Sequence, residues 1–182
     1  KVGVSREVAD NYLPIGCNET VIPGVEEMHI CSAWINLAKA VEYAVTGGED
    51  TLRKIYLFGR SGEPKTWDEF LCVFFEYLHR FAEFTMDNIN KQAPYSYAAN
   101  PAPFLSSTMK SCVESGRDVF NRGLPLGNEN IKIFALGTAI DSLFAIKKYV
   151  YDEKAVTIGE FAEILKNNWQ GAEELRHRIK LD

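Results

Sequence analysis

The sequence predicts a predominantly helical chain. Apolar residues recur at helical spacing over long stretches, two Thr-x-x-Glu boxes mark helix starts, and glycine or proline closes most of the periodic segments. Strand signals are thin. With 182 residues and 46% hydrophobic content, the chain is long enough and apolar enough for a substantial core.

Residues 1–30 are punctuated by Pro and Gly and are expected to be loop-rich. Ser32 to about Ala44 has helical periodicity through Ala33, Leu37, Ala40, Val41 and Ala44, and Gly47-Gly48 ends it. A Gly-rich connection leads to Thr66-Trp67-Asp68-Glu69, a capping box in which hydroxyl and carboxylate each satisfy a free backbone N–H. A long helix to about Gln92 follows, striped with Phe70, Phe74, Phe81 and Phe84, and Pro94 is expected to stop it.

Phe104–Ser115 reads as one short helix ended by Gly116. Asn121–Asn130 reads as a second Gly/Pro loop. Ile131–Val150 reads as a helix, although its first four residues could begin as a strand. Thr157-Ile-Gly-Glu160 opens a helix to about Asn167, and a last helix follows Gly171. Loops as long as these inside a compact domain usually serve a site or another domain.

Net charge is −5, with a pI near 5.3, and no Lys/Arg cluster accompanies the aromatics, which argues against nucleic acid as a partner. No apolar run reaches the ~18–20 residues that span a bilayer, so no membrane partner is expected. Cys17, Cys31, Cys72 and Cys112 are far apart and form no Cys-x-x-Cys, a usage that suits reduced thiols in a cytoplasm. The sequon Asn18-Glu19-Thr20 is read as accidental.

The chemistry-bearing stretch is Gly16-Cys17-Asn18-Glu19, set between Pro14 and Pro23-Gly24. It reads as a short irregular loop. In an extended loop, residues two apart point the same way, with Cα atoms roughly 6–7 Å apart. Cys17 and Glu19 could then address one substrate, the sulfur moving a hydrogen and the carboxylate a proton. Taken alone, Cys17 would most often be an inert buried thiol and Glu19 a solvated carboxylate. His29 and Cys31 lack a fourth partner at zinc spacing and are better read, with Asn18, as pocket-shaping residues. Cys72 and His79 share a helix face, and core packing explains them better than a metal does. Cys112 is also read as core. Asp118 and Asn128 could touch substrate or cap helices and turns.

Four blocks, in order, resemble a known family. They are Gly16-Cys-Asn-Glu-Thr-Val-Ile-Pro-Gly24 with Asn36–Glu42 and Gly47-Gly48; Thr66-Trp-Asp-Glu-Phe70; Pro103–Ser106 through Cys112-Val-Glu-Ser-Gly-Arg-Asp118 to Gly123 and Asn128; and Gly137–Lys148, Val150–Lys154 and Leu165–Gly171 with Glu174-Leu-Arg176. Together they resemble the glycyl radical enzymes of the pyruvate formate-lyase type, in the glycerol and choline lyase branch.

The resemblance implies an α/β fold, a ten-stranded α/β barrel of which residues 1–182 would be the C-terminal portion as a single, mainly helical piece. It implies that a finger loop carries Cys17, the thiyl residue, into the barrel centre. Glu19 would be the base that deprotonates a substrate hydroxyl beside the radical carbon, its acidity weakened by burial. The cofactor would be a protein-derived glycyl radical, installed by a radical SAM activating enzyme. A small-molecule substrate, a homodimer and a cytoplasmic location are also implied, with a bacterial microcompartment as an alternative setting.

The family's Arg-Val-x-Gly-Tyr type segment is not found here and the first residue is Lys1, so a fragment is expected, lacking the N-terminal barrel part and the glycine-radical domain and inactive in isolation. Diol-dehydrating members carry an Asp fourteen positions after the cysteine. Here that position is Cys31, which disfavours a standard diol dehydration. Gly16 stands where pyruvate formate-lyase has a second cysteine, which disfavours acetyl transfer. Elimination by C–O or C–N cleavage therefore ranks ahead of aryl-acetate decarboxylation and of formate C-acetyl transfer. The non-enzymatic alternative is a helical scaffold derived from the family.

Overall fold

The computed structural model describes residues 4–16 and 19–182, with the backbone alone for residues 27–30. It is predominantly helical, with two small two-stranded sheets. The chain divides into two compact units, one built from Lys1–Trp34 and Thr85–Lys132, the other from Ile35–Phe84 and Ile133–Asp182.

The first unit opens with a single helical turn, α1 (Arg6–Ala9), capped by Ser5. β1 (Leu13–Ile15) and β2 (Glu19–Val21) then pair antiparallel, with Leu13 opposite Val21 and Ile15 opposite Glu19. The stretch expected to be irregular loop is thus a hairpin. β3 (Glu26–Asn36) follows and pairs with β4 (Leu126–Phe134). Strand pairing therefore replaces several sequence expectations. Ser32–Asn36 is strand rather than helix, because Asn36 is the N-cap, its side chain accepting from Ala38 N–H. The expected loop up to Asn130 is already strand from Leu126, and Ile131–Phe134 belongs to that strand.

Two short helices, α4 (Pro103–Ser107) and α5 (Lys110–Ser115), replace the single helix expected there, and Gly116 closes the second in the left-handed conformation. After α5 a 3-10 turn, Val119–Asn121, is capped by Asp118. Cys112, Val119 and Leu124 form a small buried apolar cluster, which agrees with the core reading of Cys112.

The second unit holds the main core. α2 (Leu37–Thr46) ends at Gly47 as the sequence indicates. α3 (Trp67–Ala99) gives its first part, to Phe84, to this unit. α6 (Leu136–Ile146) runs into a π-helical turn, Lys147–Asp152, and α7 (Ile158–Lys166) and α8 (Glu173–Leu181) complete the unit. Ala40, Val41, Ala44, Phe70, Phe74, Ile146, Val150 and Phe161 are among the residues of one apolar cluster. Phe70 has no exposed surface and stacks on Trp67, with centroids 5.7 Å apart and planes within 14°.

The two capping boxes differ. At α7 both reciprocal bonds form between Thr157 and Glu160. At α3 Glu69 N–H donates to Thr66, but the Glu69 carboxylate accepts from Lys65 N–H instead of Thr66 N–H. Pro94 lies inside α3 and does not stop it: Asn100 N–H still bonds to Ser96 C=O, so the turns beyond the proline keep their ladder. Cys72 is exposed, and His79 is exposed with its ring 3.2 Å from Glu83, so neither belongs to the core as expected. No helix among the described residues is long and apolar enough to cross a membrane.

Candidate functional site

The β1–β2 hairpin positions the candidate base. The Ile15–Glu19 pair is its last rung, and the chain turns at Gly16 with φ +58°, a left-handed value that glycine tolerates and side chains resist. Space imposes the same choice, since a Cβ on Gly16 would lie 2.5 Å from Glu19 Oε2. A second cysteine at position 16 would require the Glu19 carboxylate to shift.

Glu19 is 1% exposed, the most deeply buried charged residue described. Its carboxylate Oε1 accepts a hydrogen bond from the Lys132 ammonium in an ion pair. Such a neighbour favours the ionised form and opposes the effect of burial expected from the sequence. Lys132 lies on β4, 113 positions along the chain. The sequence reading missed it because nothing local marks it.

A polar frame holds the hairpin against the sheet. The Ile22–Glu26 turn is fastened by Ile22 N–H donating to Glu26 Oε2 at 2.9 Å, and Leu126 N–H at the start of β4 donates to Val25 C=O at 3.2 Å. Across the sheet, the Ser32 hydroxyl donates to Glu129. Side chains alternate along a strand, so this pair marks one face. Cys31 and Lys132, one and three positions away, leave from the other face, and Asn128 and Asn130 share it with Lys132.

Of the residues singled out by sequence, Glu19 and Cys31 are therefore placed on the same side of the β3–β4 pair, and Cys31 is exposed. Cys17 and Asn18 lie outside the described residues, and so does the His29 side chain, although His29 itself is on β3. Asn128 is a strand residue and caps no helix. Asp118 is structural: its carboxylate accepts from Phe120 N–H at 2.9 Å, Ala102 N–H at 2.8 Å and the Ser106 hydroxyl at 3.1 Å. Burial works to raise its pKa, and the three donors outweigh burial and leave it below the ordinary carboxylate range. Burial and the Asp118 charge push the Cys112 thiol up, as suits an inert core cysteine.

A groove of about 980 Å³ opens in the same unit between Asn90, Pro94, Arg117, Arg122, Leu126 and Glu129. It is lined by the Glu129 side of the sheet and not by Glu19.

The hairpin-borne buried carboxylate and the four sequence blocks meet in one family. The chain matches the pyruvate formate lyase-like family over residues 1–181, and it belongs to that family. It is 29% identical to isethionate sulfite-lyase of Nitratidesulfovibrio vulgaris, over 98% of this chain and 22% of the relative. It is 27% identical to (2S)-3-sulfopropanediol dehydratase of Klebsiella oxytoca, over 95% of this chain and 21% of the relative. Among solved structures, the glycerol-bound B12-independent glycerol dehydratase of Clostridium butyricum superposes with a TM-score of 0.80 at 28% identity, over 94% of this chain and 22% of that one. The chain thus spans about a fifth of the length of each of these relatives.

Proposed function

We propose that this chain is the finger-hairpin portion of a glycyl radical lyase or dehydratase. Cys17 is the thiyl residue, and Glu19 is the base for an elimination on a small organic substrate. The observation that carries the reading is the buried Glu19 at the last rung of the β1–β2 hairpin, two positions after Cys17 in the sequence.

The glycyl radical, installed by a radical SAM activating enzyme on a glycine outside these 182 residues, supplies the oxidising equivalent that makes the thiyl. The Cys17 thiyl takes a hydrogen atom from the carbon bearing the substrate hydroxyl, leaving S–H and a carbon radical. Glu19 removes the hydroxyl proton as the neighbouring carbon loses its leaving group with the bonding electron pair, which gives a carbonyl-stabilised radical. That radical takes the hydrogen back from Cys17, and the leaving group departs with the proton as HX.

The relatives' names include dehydratases and a sulfite-lyase, eliminations with different leaving groups. Cys31 stands where diol dehydratases resemble one another in having an acid, and it is an exposed thiol here. That favours a leaving group that departs without a carboxylic acid to protonate it, such as an amine or a sulfur oxyanion, over a plain diol. A second thiol at position 16, as acetyl transfer would use, would be strained by the left-handed backbone and would displace the Glu19 carboxylate. The assembly is read as a cytoplasmic homodimer.

The test is product analysis of the full-length, anaerobically activated enzyme with small diols, amino alcohols, hydroxysulfonates and aryl acetates. An aldehyde or ketone plus the released group is expected from one of the first three classes. Loss of that product in the Cys17→Ser variant, with the glycyl radical still visible by electron paramagnetic resonance, supports the assignment. Normal turnover by an activated Cys17→Ala enzyme would falsify it.

A further inference from the structure

We infer that Lys132 is the positioning residue of the base: its ammonium keeps the buried Glu19 carboxylate ionised and aimed at the substrate hydroxyl. The inference rests on the base reading of Glu19 given above.

The geometry behind it is specific. The Glu19 side chain has no exposed surface, while that of Lys132 retains 15%. A carboxylate withdrawn from water to this degree would take up a proton unless a cation or several donors compensated it. A protonated Glu19 could not act as a base. Lys132 comes from β4, whose other flank is fixed by the Ser32–Glu129 bond and by Leu126 N–H on Val25 C=O. The ammonium is thereby delivered by a rigid strand rather than by a loop.

Several charged and titratable groups lie on the elements around Glu19, and His29 on β3 has its side chain outside the described residues. Lys132 faces Glu19 from β4. Cys31 on β3 shares the Lys132 face. Cys17 follows Gly16 in the sequence and lies outside the described residues. Glu26 is taken up by Ile22 N–H, and Glu129 lies on the opposite face with Ser32. Lys132 is the cation paired with Glu19 among the described side chains, and the ion pair favours the ionised carboxylate. The pairing has a chemical cost, since a base held ionised is also a weaker base. The gain is that the base is ready at neutral pH.

The test uses the full-length, activated enzyme and its pH–rate profile. Removing the charge with Lys132→Met should move the acid limb of kcat/KM upward by about 1–3 pH units, so that the loss is greatest at low pH and recovers as pH rises. Lys132→Arg, which keeps the charge, should restore the limb. The glycyl radical yield should be unchanged in both. If the Met variant does not accumulate as folded enzyme, Lys132→Gln reads the same limb. An unmoved limb in the neutral variants, alongside an inactive Glu19→Gln enzyme, overturns the role of Lys132 and leaves the base reading standing. An active Glu19→Gln enzyme overturns the base reading, and this inference with it.

Discussion

The two units of the chain bury apolar and charged surface in different proportions. The second gathers apolar side chains from α2, α3, α6 and α7 into one cluster around Phe70. The first has an apolar cluster of only three buried residues, and it also buries the Glu19 carboxylate and the Ser106 hydroxyl that serves Asp118. Burial of apolar area stabilises at roughly 25 cal/mol per Å², whereas a buried charge costs free energy until it is paired. The second unit also buries one carboxylate, Asp50, which Lys39 and the Leu52 and Arg53 N–H groups hold, but its apolar cluster dominates it. The first accepts an electrostatic cost in order to hold a carboxylate out of water.

The largest expected effect tests that cost. In the activated full-length enzyme, Glu19→Gln should lower kcat by about 10²–10⁴-fold, the usual contribution of a positioned base. The same change removes a buried charge but leaves Lys132 without its counter-ion, so the thermal midpoint should fall as well. A variant with lower stability and full activity would make Glu19 a structural residue and erase the contrast.

Phe70→Ala probes the other side. Phe70 is fully buried between Trp67 and Tyr151, at 5.7 and 5.9 Å between centroids. Truncation should cost about 3–5 kcal/mol in denaturant unfolding, the range for a buried aromatic. Residual folded enzyme should keep the pH–rate profile of the parent. A shifted profile would mean that the apolar core also tunes the site.

Asp118→Asn separates structural from catalytic polarity within the first unit. The amide cannot accept well from Ala102 N–H, Phe120 N–H and Ser106 together, and a loss of about 1–3 kcal/mol follows from leaving buried donors unsatisfied. The sign of its pH dependence is fixed. Asp118 titrates lower in the folded chain, so its contribution is complete above the unfolded value of about 4 and is lost as pH falls through the folded one. The stability gap between parent and variant should be constant near pH 6 and should shrink below about pH 4. A gap that grows on acidification would assign the low value to another group.

Local signals were readable in the sequence, and signals that depend on a distant partner were not. Gly47, Gly116 and the Thr157–Glu160 box mark helix ends where the residues say they should, because a cap acts within four positions. The possible strand at Ile131–Phe134 is the end of β4, but β3 and the start of β4 were missed because each strand needs a partner about a hundred residues away, and Glu26–Asn36 carries no clean alternation of its own. For the same reason Glu19 could be singled out while Lys132 could not. Cys17 and Glu19 lie in one motif, but the cation that faces Glu19 arrives from β4.

The smallest expected effect sharpens this point at the edge of the second unit. Thr157 and Thr66 sit in boxes with the same spacing, yet only at Thr157 does the glutamate return its bond to the cap residue's own N–H. Thr157→Ala removes the acceptor for Glu160 N–H and the hydroxyl partner of the Glu160 carboxylate, so about 1 kcal/mol should be lost. Thr66→Ala should cost less, because the Glu69 carboxylate remains bonded to Lys65 N–H at 2.7 Å whatever stands at position 66. Glu160 is held below the ordinary carboxylate range by the Thr157 N–H and hydroxyl, so the Thr157 variant should also lose part of its deficit relative to the parent as acid protonates that carboxylate. Equal losses from the two threonines, measured as shifts in the urea midpoint at neutral pH, would mean that the hydroxyl alone caps each helix and that the return bond adds nothing.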